Sequence, residues 1–161
     1  MAIVVSDTSP VRALNHLGNL DLLRALYGQV YLPDAVAVEL RRSSARFPVF
    51  EPLHHSFLVI ESPLDRGRVQ ALEKDLDAGE AAALVLALER SADFVLIDER
   101  AGRRAARALG LIPVGVLGVL LRAKERSLIV AVQPFVQRLQ IELDFRMAPD
   151  LIADVLRQAG E

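Results

Sequence analysis

The sequence FVLID at residues 94–98 is a run of four apolar residues that ends in a carboxylate. The sequence IVVSD at residues 3–7 has a similar form near the N-terminus. Short apolar runs of this kind are typical of strands that are buried on both faces of a parallel sheet. Open α/β sheets bind ligands beyond the carboxyl ends of their strands. Asp7 and Asp98 are therefore predicted to lie at a ligand-binding edge.

The rest of the chain alternates between strand-like and helix-like segments. This alternation predicts an α/β fold in which helices cover both faces of a parallel sheet. Strands are predicted near residues 3–6, 29–32, 57–60, 94–97 and 112–114. Helices are predicted near residues 9–26 with a break at Gly18, and near 33–42, 65–74, 79–90, 99–109, 116–126, 134–143 and 150–158. A length of 161 residues without a repeat or linker predicts a single domain over residues 1–161, with C-terminal helices from about residue 131.

Composition excludes several kinds of site. The chain has no cysteine, which excludes a disulfide framework, a thiolate zinc site and a cysteine nucleophile. The N-terminus has no basic leader, and the longest apolar stretch, residues 111–121, is well below the roughly 20 residues of a membrane helix. We therefore expect a cytoplasmic protein with no membrane partner. The pI of about 5.9 means that any nucleic-acid contact must come from a local basic patch.

Asp7 and Asp98 each have a structural alternative. Asp7 precedes Thr8, Ser9 and Pro10, and Ser9-Pro10 is a favourable helix start, so Asp7 and Ser9 would then only cap a helix. In the functional interpretation Asp7 is a metal ligand that the hydroxyl of Thr8 or Ser9 supports. Asp98 is harder to explain structurally, although it could cap the helix that follows it.

Glu39 and Glu80 lie in two helix-like segments between those strands. Asp77 and Glu80 have the spacing of a capping box, which alone would explain Glu80. Glu80 also shares a helical face with apolar residues, and a buried glutamate without a partner is costly unless a cation relieves it. Glu39 has the alternative of a rim residue that pairs with Arg42 or Arg46.

The acids are more informative together than singly. Oxygen-only ligands suit Mg²⁺ or Mn²⁺, which bind through one or two carboxylates together with waters and substrate phosphates. Two such ions can activate a water and stabilise the leaving oxygen of a phosphodiester. His16, His54 and His55 are interpreted as structural or solvated.

A stripe of arginines follows Asp98. Its members, Arg100, Arg103, Arg104 and Arg107, have i, i+3, i+4, i+7 spacing, so they share one helical face. The opposite, packing face is predicted to contain Ala101, Ala105, Ala108 and Leu109. The alternative is an ordinary solvated face with a Glu99–Arg103 pair. Because the helix begins at the acidic site and arginine binds phosphate bidentately, the stripe is a candidate contact for nucleic-acid phosphate.

These motifs together resemble the PIN domain, a family of metal-dependent ribonucleases that includes VapC toxins. The resemblance is in the order of four segments: 7–10, 36–40 around Glu39, 79–81, and 96–99, with 98–103 and 114–118 similar to a prokaryotic PIN subgroup of unsettled function. It covers residues 1 to about 126 most clearly.

The resemblance implies a three-layer α/β/α sandwich with a central parallel sheet of five strands. It implies that Asp7, Glu39, Glu80 and Asp98 form an acidic pocket for Mg²⁺ or Mn²⁺, in which a metal-activated water attacks RNA. It also implies a homodimer that an antitoxin protein holds inactive. Many VapC-like domains carry another acid two residues after the position of Asp98. Here that residue is Arg100, and Glu99 is the nearest acid that could serve as a metal ligand.

The sequence therefore favours a metal-dependent endoribonuclease, the toxin of a toxin–antitoxin pair. Arg100 and the low pI keep open a non-catalytic RNA-binding or partner-regulated module with a degraded metal site. A phosphohydrolase of the haloacid-dehalogenase type, with Asp7 as nucleophile, would need a second aspartate where the chain has Ser9.

Overall fold

A computed structural model describes residues 2–161, and its central feature is a five-stranded parallel sheet. The strands are β1 (Val4–Ser6), β2 (Val30–Leu32), β3 (Leu58–Ile60), β4 (Phe94–Leu96) and β5 (Pro113–Val114). Their spatial order is β3-β2-β1-β4-β5, with all neighbours parallel. The predicted parallel α/β sheet is thus confirmed.

Helices cover both faces of this sheet. They are α1 (Thr8–His16), α2 (Asp21–Tyr27), α3 (Asp34–Leu40), α4 (Arg66–Leu72), α5 (Ala78–Glu89), α6 (Arg100–Ala108), α7 (Val116–Glu125), α8 (Gln133–Leu143) and α9 (Pro149–Gln158), with a short 3₁₀ helix at Pro52–His54. Alternate residues of the strands point to opposite faces. Val4 and Leu96 pack with α1, α2 and α7, whereas Val5, Val95 and Ile97 pack with α5 and α6. The result is the three-layer α/β/α arrangement.

The direction in which the chain adds strands to the sheet reverses between β1 and β4. From β1 the chain builds outward through β2 and β3 on one side, and through β4 and β5 on the other. Ser6 is in register with Leu96, and the Asp7 backbone N–H donates to the Leu96 carbonyl at 2.9 Å. Ligands of open α/β sheets bind in the crevice at such a point. The residues that follow β1 and β4 therefore border the predicted binding crevice.

The start of α1 differs from the prediction. The helix begins at Thr8 with Asp7 at the N-cap, so Ser9 is not the cap and Pro10 is not the first helical residue. Pro10 is accommodated because the N–H groups of the first helical turn have no intrahelical partner, so the missing donor costs nothing there. The predicted break at Gly18 is confirmed, with φ of 74°.

The C-terminal helices pack against α7 through the core. The side chain of Glu161 accepts hydrogen bonds from Lys124 Nζ at 3.0 Å and from the backbone N–H groups of Val132 at 2.8 Å and Gln133 at 3.0 Å. These bonds join the last residue to α7 and to the start of α8. Every helix within residues 2–161 is too short or too polar to span a membrane.

Candidate functional site

Asp7 lies at the carboxyl end of β1 and is only 3 % exposed. It occupies the N-cap position of α1, but within residues 2–161 its side chain makes no capping hydrogen bond. Helix capping, the structural alternative for this residue, therefore does not account for its carboxylate. A buried carboxylate without such a role is costly and calls for another partner.

Glu39 projects from α3 toward the same place. Its Oε2 accepts a hydrogen bond from Thr8 Oγ1 at 2.7 Å, so it does not make the predicted pairing with Arg42 or Arg46. Glu39 Oε1 and Asp7 Oδ1 both lie against Gly79 of α5, at 2.9 Å and 3.0 Å from the position that a Cβ there would take. Only a residue without a side chain allows the two carboxylates to approach α5 this closely.

Glu80 is both a cap residue and a buried acid. Asp77 Oδ1 accepts from the Glu80 backbone N–H at 2.8 Å, and Glu80 Oε1 accepts from the Asp77 N–H at 3.3 Å, which confirms the capping box. Glu80 is nevertheless 5 % exposed, and its Oε2 has no hydrogen-bond partner within the described chain. That oxygen faces Gly102 of α6. The capping box therefore uses only one of the two oxygens.

Mutual repulsion and burial perturb these acids. Burial raises the pKa of Asp7 to about 8; the Thr8 backbone N–H opposes this shift, and the charges of Asp77, Glu80 and Glu39 add to it. Burial and the contact with Asp77 raise the pKa of Glu80 to about 7. Burial is thus the main cause of both raised pKa values, and the neighbouring carboxylates add to it.

Asp98 has different neighbours. Its Oδ1 accepts a hydrogen bond from the Val116 backbone N–H at 2.8 Å, so it caps α7 and not the helix that directly follows it. Gly115 lies against both Asp98 Oδ1 and Arg103 Nη1, at 2.8 Å and 3.1 Å from the position of an added Cβ. Burial raises the pKa of Asp98 to about 6, while the Val116 N–H and the charge of Arg103 lower it. Its Oδ2 is buried and has no partner among residues 2–161.

The structure thus brings Asp7, Glu39 and Glu80 together with Asp77, and it directs Asp98 toward α7 and Arg103. Glu99 is exposed at the N-cap position of α6, and its charge raises the pKa of both Glu80 and Asp98. In the described part of the chain, no three histidine, aspartate or glutamate side chains already converge to hold a metal ion. Side-chain rotation would be needed for three of these acids to share one ion.

The arginine stripe is not uniform. Arg100, Arg104 and Arg107 are exposed, whereas Arg103 is half-buried and its Nη1 donates to the Ile97 carbonyl at 3.2 Å. Burial, with the nearby charge of Arg107, lowers the pKa of Arg103. Arg103 does not pair with Glu99.

The predicted packing face of α6 was wrong in part. Ala101 and Ala108 are exposed, and the buried residues are Gly102 and Ala106. The true packing face is therefore rotated toward Arg103, which is why this arginine alone of the four is drawn inward.

A groove of about 1090 Å³ runs beside these arginines. All four arginines of α6 line it, with Arg12 of α1 and Arg146 between α8 and α9. Asp98, Glu99 and Ser9 belong to the same lining, so the groove reaches the carboxyl edge of the sheet. The Arg12 guanidinium also lies 5.1 Å from the centre of the Phe47 ring, another lining residue. This groove is a local basic surface on a chain whose net charge is −2.

The histidines lie elsewhere. His16 contacts Glu142 at 3.0 Å, and His55 stacks on Phe50. His54 is exposed.

Sequence reasoning missed the wider role of Asp77 and of three glycines. The sequence predicts only a capping role for Asp77, yet among the neighbouring carboxylates its charge contributes most to the raised pKa of Asp7. Gly79, Gly102 and Gly115 each lie against a site carboxylate. All three occur within the motifs quoted above, but a sequence does not show which side chain a glycine makes room for.

A family model described as a PIN domain (DUF3368) matches residues 3–161. No curated protein matches the chain.

Proposed function

Because this chain belongs to the PIN-domain family, whose members are in general nucleases that act on RNA and use divalent metals, we propose that it is a metal-dependent endoribonuclease. Its preferred substrate is single-stranded RNA. One observation carries the proposal: the buried carboxylate of Asp7 and the half-buried carboxylate of Glu39 face one glycine, at the point where the strand order of the sheet reverses. Glu80 adds a buried oxygen without a partner in the described structure.

The types of residue present suit a divalent cation, which side-chain rotation would allow three of the acids to share. Asp7, Glu39 and Glu80 supply hard oxygen ligands, the kind that Mg²⁺ and Mn²⁺ prefer. The raised pKa values of Asp7 and Glu80 mean that a nearby positive charge would stabilise both ionised forms. Asp98 and Glu99, which the sequence also predicts to be metal ligands, lie on the side of the site that borders the arginines of α6.

The chain's own residues would divide the work. Asp7, Glu39 and Glu80 would hold the ion, and the Thr8 hydroxyl orients Glu39 through its 2.7 Å hydrogen bond. When bound, the ion supplies the Lewis acidity that activates a water and stabilises the leaving oxygen of the phosphodiester. Asp98 completes the catalytic set from β4.

The groove beside α6 would bind the RNA. Arg100, Arg104 and Arg107 are exposed on one helical face, and arginine pairs bidentately with phosphate. Phe47 adds an aromatic ring in the same lining, of the type on which single-stranded bases stack. This local surface removes the objection that the low overall pI raises against RNA binding.

Cleavage of single-stranded RNA in Mn²⁺ tests the proposal. Wild type, Asp7→Asn and Asp98→Asn are compared with Asp21→Asn, whose side chain is 78 % exposed on α2. We expect activity in wild type and Asp21→Asn, loss in the site variants, and loss in wild type with a chelator. Equal activity in all four proteins would contradict the assignment of these residues.

A second candidate function is supported by the position of Asp98. This carboxylate is engaged by Val116, and Arg100 replaces an acid expected beside it. A non-catalytic RNA-binding or partner-regulated module would bind RNA in a salt-sensitive way and show no metal-dependent turnover. The cleavage assay together with filter binding separates the two candidates.

The toxin role, an antitoxin partner, homodimer formation and a cytoplasmic location complete the proposal. They are supported by the family membership and, for the location, by the lack of cysteine. Induced expression should arrest growth unless the product of a neighbouring small reading frame is present. Light scattering of the purified protein would measure the oligomeric state.

A further inference from the structure

The two sides of the site differ in charge. Around Asp7, the nearby charges of Asp77, Glu80 and Glu39 are all negative. Asp98 has neighbours of both signs: Arg103, which lies with it against Gly115, and the exposed Glu99. One side of the crevice therefore needs a cation from solution, while the other already contains one.

Arg103 is held in place as a fixed cation. Its Nη1 donates to the Ile97 carbonyl at 3.2 Å, and its side chain is half-buried on a helix where the other three arginines are exposed. Within residues 2–161 it forms no ion pair with a carboxylate at 4.0 Å or less. A guanidinium has five N–H donors, and Arg103 lines the groove, so donors remain for a ligand there.

We propose that Arg103 takes the place of a second metal ion: the chain binds one divalent ion, at Asp7, Glu39 and Glu80, and Arg103 binds the scissile phosphate on the Asp98 side. This inference rests on the proposed nuclease function and narrows the ligand set given above. Asp98 becomes a positioning residue, which fixes the start of α7 and the charge environment of Arg103. Arg100, in place of an expected acid, makes the same side still more positive.

The chemistry of the two cations explains the division. A divalent ion at Asp98 would lie close to the Arg103 guanidinium and be repelled by it. A guanidinium binds two phosphate oxygens at once and stabilises the negative charge that develops there during cleavage. It cannot activate a water, so the ion on the Asp7 side is still required.

Counting bound Mn²⁺ tests this inference without relying on activity. Titration calorimetry and electron paramagnetic resonance of free Mn²⁺ give the number of ions per chain. We expect one ion in wild type, one in Asp98→Asn and none in Asp7→Asn. Arg103→Gln should bind a second ion at Asp98, and Arg103→Gln/Asp98→Asn should return to one.

Two further variants serve as controls. Arg103→Lys keeps the charge and should keep one ion, and Arg104→Gln changes an exposed neighbour and should also keep one ion. Thermal melts identify any variant that does not fold. If Arg103→Gln does not fold, Arg103→Lys is compared with wild type instead, and we expect slower cleavage with the same number of bound ions. Two ions in wild type, one of which Asp98→Asn removes, would overturn the inference while leaving the nuclease proposal intact. No ion in wild type would instead overturn the proposed function itself.

Discussion

The ends of β1 and β4 are neighbours in one sheet, and an aspartate lies just beyond each, yet the two aspartates have different surroundings. Asp7 directly follows β1, whereas Asp98 comes two residues after the end of β4. Asp7 is buried among other acids, with no capping bond from its side chain in the described structure. Asp98 is bonded to the start of α7 and lies beside Arg103. Neighbouring strand ends thus place two carboxylates at one crevice, while the helices packed around them decide the charge that each carboxylate meets.

The difference arises from what each strand leads into. After β1 the chain enters α1 directly, and Thr8 contributes its hydroxyl to Glu39 of α3. After β4 the chain enters α6, whose residues include Arg103, and the next crossover brings Gly115 and Val116 back to Asp98. The Asp7 side therefore contains only acids, and the Asp98 side is partly neutralised by the chain itself.

The largest effects on cleavage are expected from replacing the two aspartates, one at a time. We expect Asp7→Asn to lower kcat/KM for RNA cleavage by about 1,000-fold or more, because it removes a metal ligand. Asp98→Asn should lower it by about 10-fold to 100-fold, because it disturbs the position of Arg103 and the cap of α7. Steady-state kinetics in saturating Mn²⁺ measures both, with Asp21→Asn as control. An equal loss in the two variants would contradict the division of roles.

Two arginines on one helix separate catalysis from binding. Arg103→Gln should lower kcat by about 10-fold to 100-fold, because the fixed guanidinium acts on the phosphate as charge develops. Arg104→Gln should raise KM a few-fold and reduce the slope of log K against log salt by about one, because it removes one exposed phosphate contact. Cleavage kinetics and filter binding across salt concentrations distinguish them. A shift in KM alone for both would assign Arg103 to binding only.

Closing the space beside Asp7 should weaken metal binding. Gly79→Ala places a methyl group 2.9 Å from Glu39 Oε1 and 3.0 Å from Asp7 Oδ1, so the carboxylates must move. We expect Mn²⁺ affinity to fall about 10-fold, or about 1.4 kcal/mol. Gly67→Ala in α4 is the matched control, because its nearest contact is 3.6 Å away. It should leave Mn²⁺ affinity unchanged and stabilise the helix by about 0.5–1 kcal/mol.

The pH dependence of stability should also reflect the burial of Asp7. The pKa of Asp7 is raised to about 8 in the folded chain from an ordinary value of 3.8, so the folded state holds its proton more tightly. Stability is then greatest below pH 4 as far as this group is concerned, and it is lost as the pH rises toward 8.

We expect metal-free wild type to lose about 2 kcal/mol or more between pH 5 and pH 8.5, with Asp7→Asn losing less. Saturating Mn²⁺ should restore stability at pH 8.5. Urea unfolding at each pH measures both effects. Identical pH profiles for the two metal-free proteins would show that the titration of Asp7 does not cause the pH dependence of stability.

The fold was largely readable from the sequence because apolar runs such as residues 94–97 have one good location, the interior of a parallel sheet. Boundaries failed where local signals competed: Ser9-Pro10 looked like a helix start, but Asp7 and Thr8 begin the helix. The acids and the arginines could be named because their residue types and spacing are visible.

The sequence did not indicate where the side chains of Asp98 and Arg103 point. Asp98 turns to Val116, 18 residues later, because the crossover returns α7 to the end of β4. Arg103 leaves the exposed stripe because the packing face of α6 is rotated from its predicted position. Both outcomes depend on contacts between distant segments, which helical periodicity alone does not contain.

Gly79, Gly102 and Gly115 give the site a signature that can be read in other chains. Each stands where a methyl group would meet a carboxylate: that of Asp7 or Glu39, that of Glu80, or that of Asp98. A related sequence that keeps the acids but carries a larger residue at one of these positions must have moved the corresponding carboxylate. The residues at these three positions therefore distinguish related chains by the geometry of the site, which the acids alone do not.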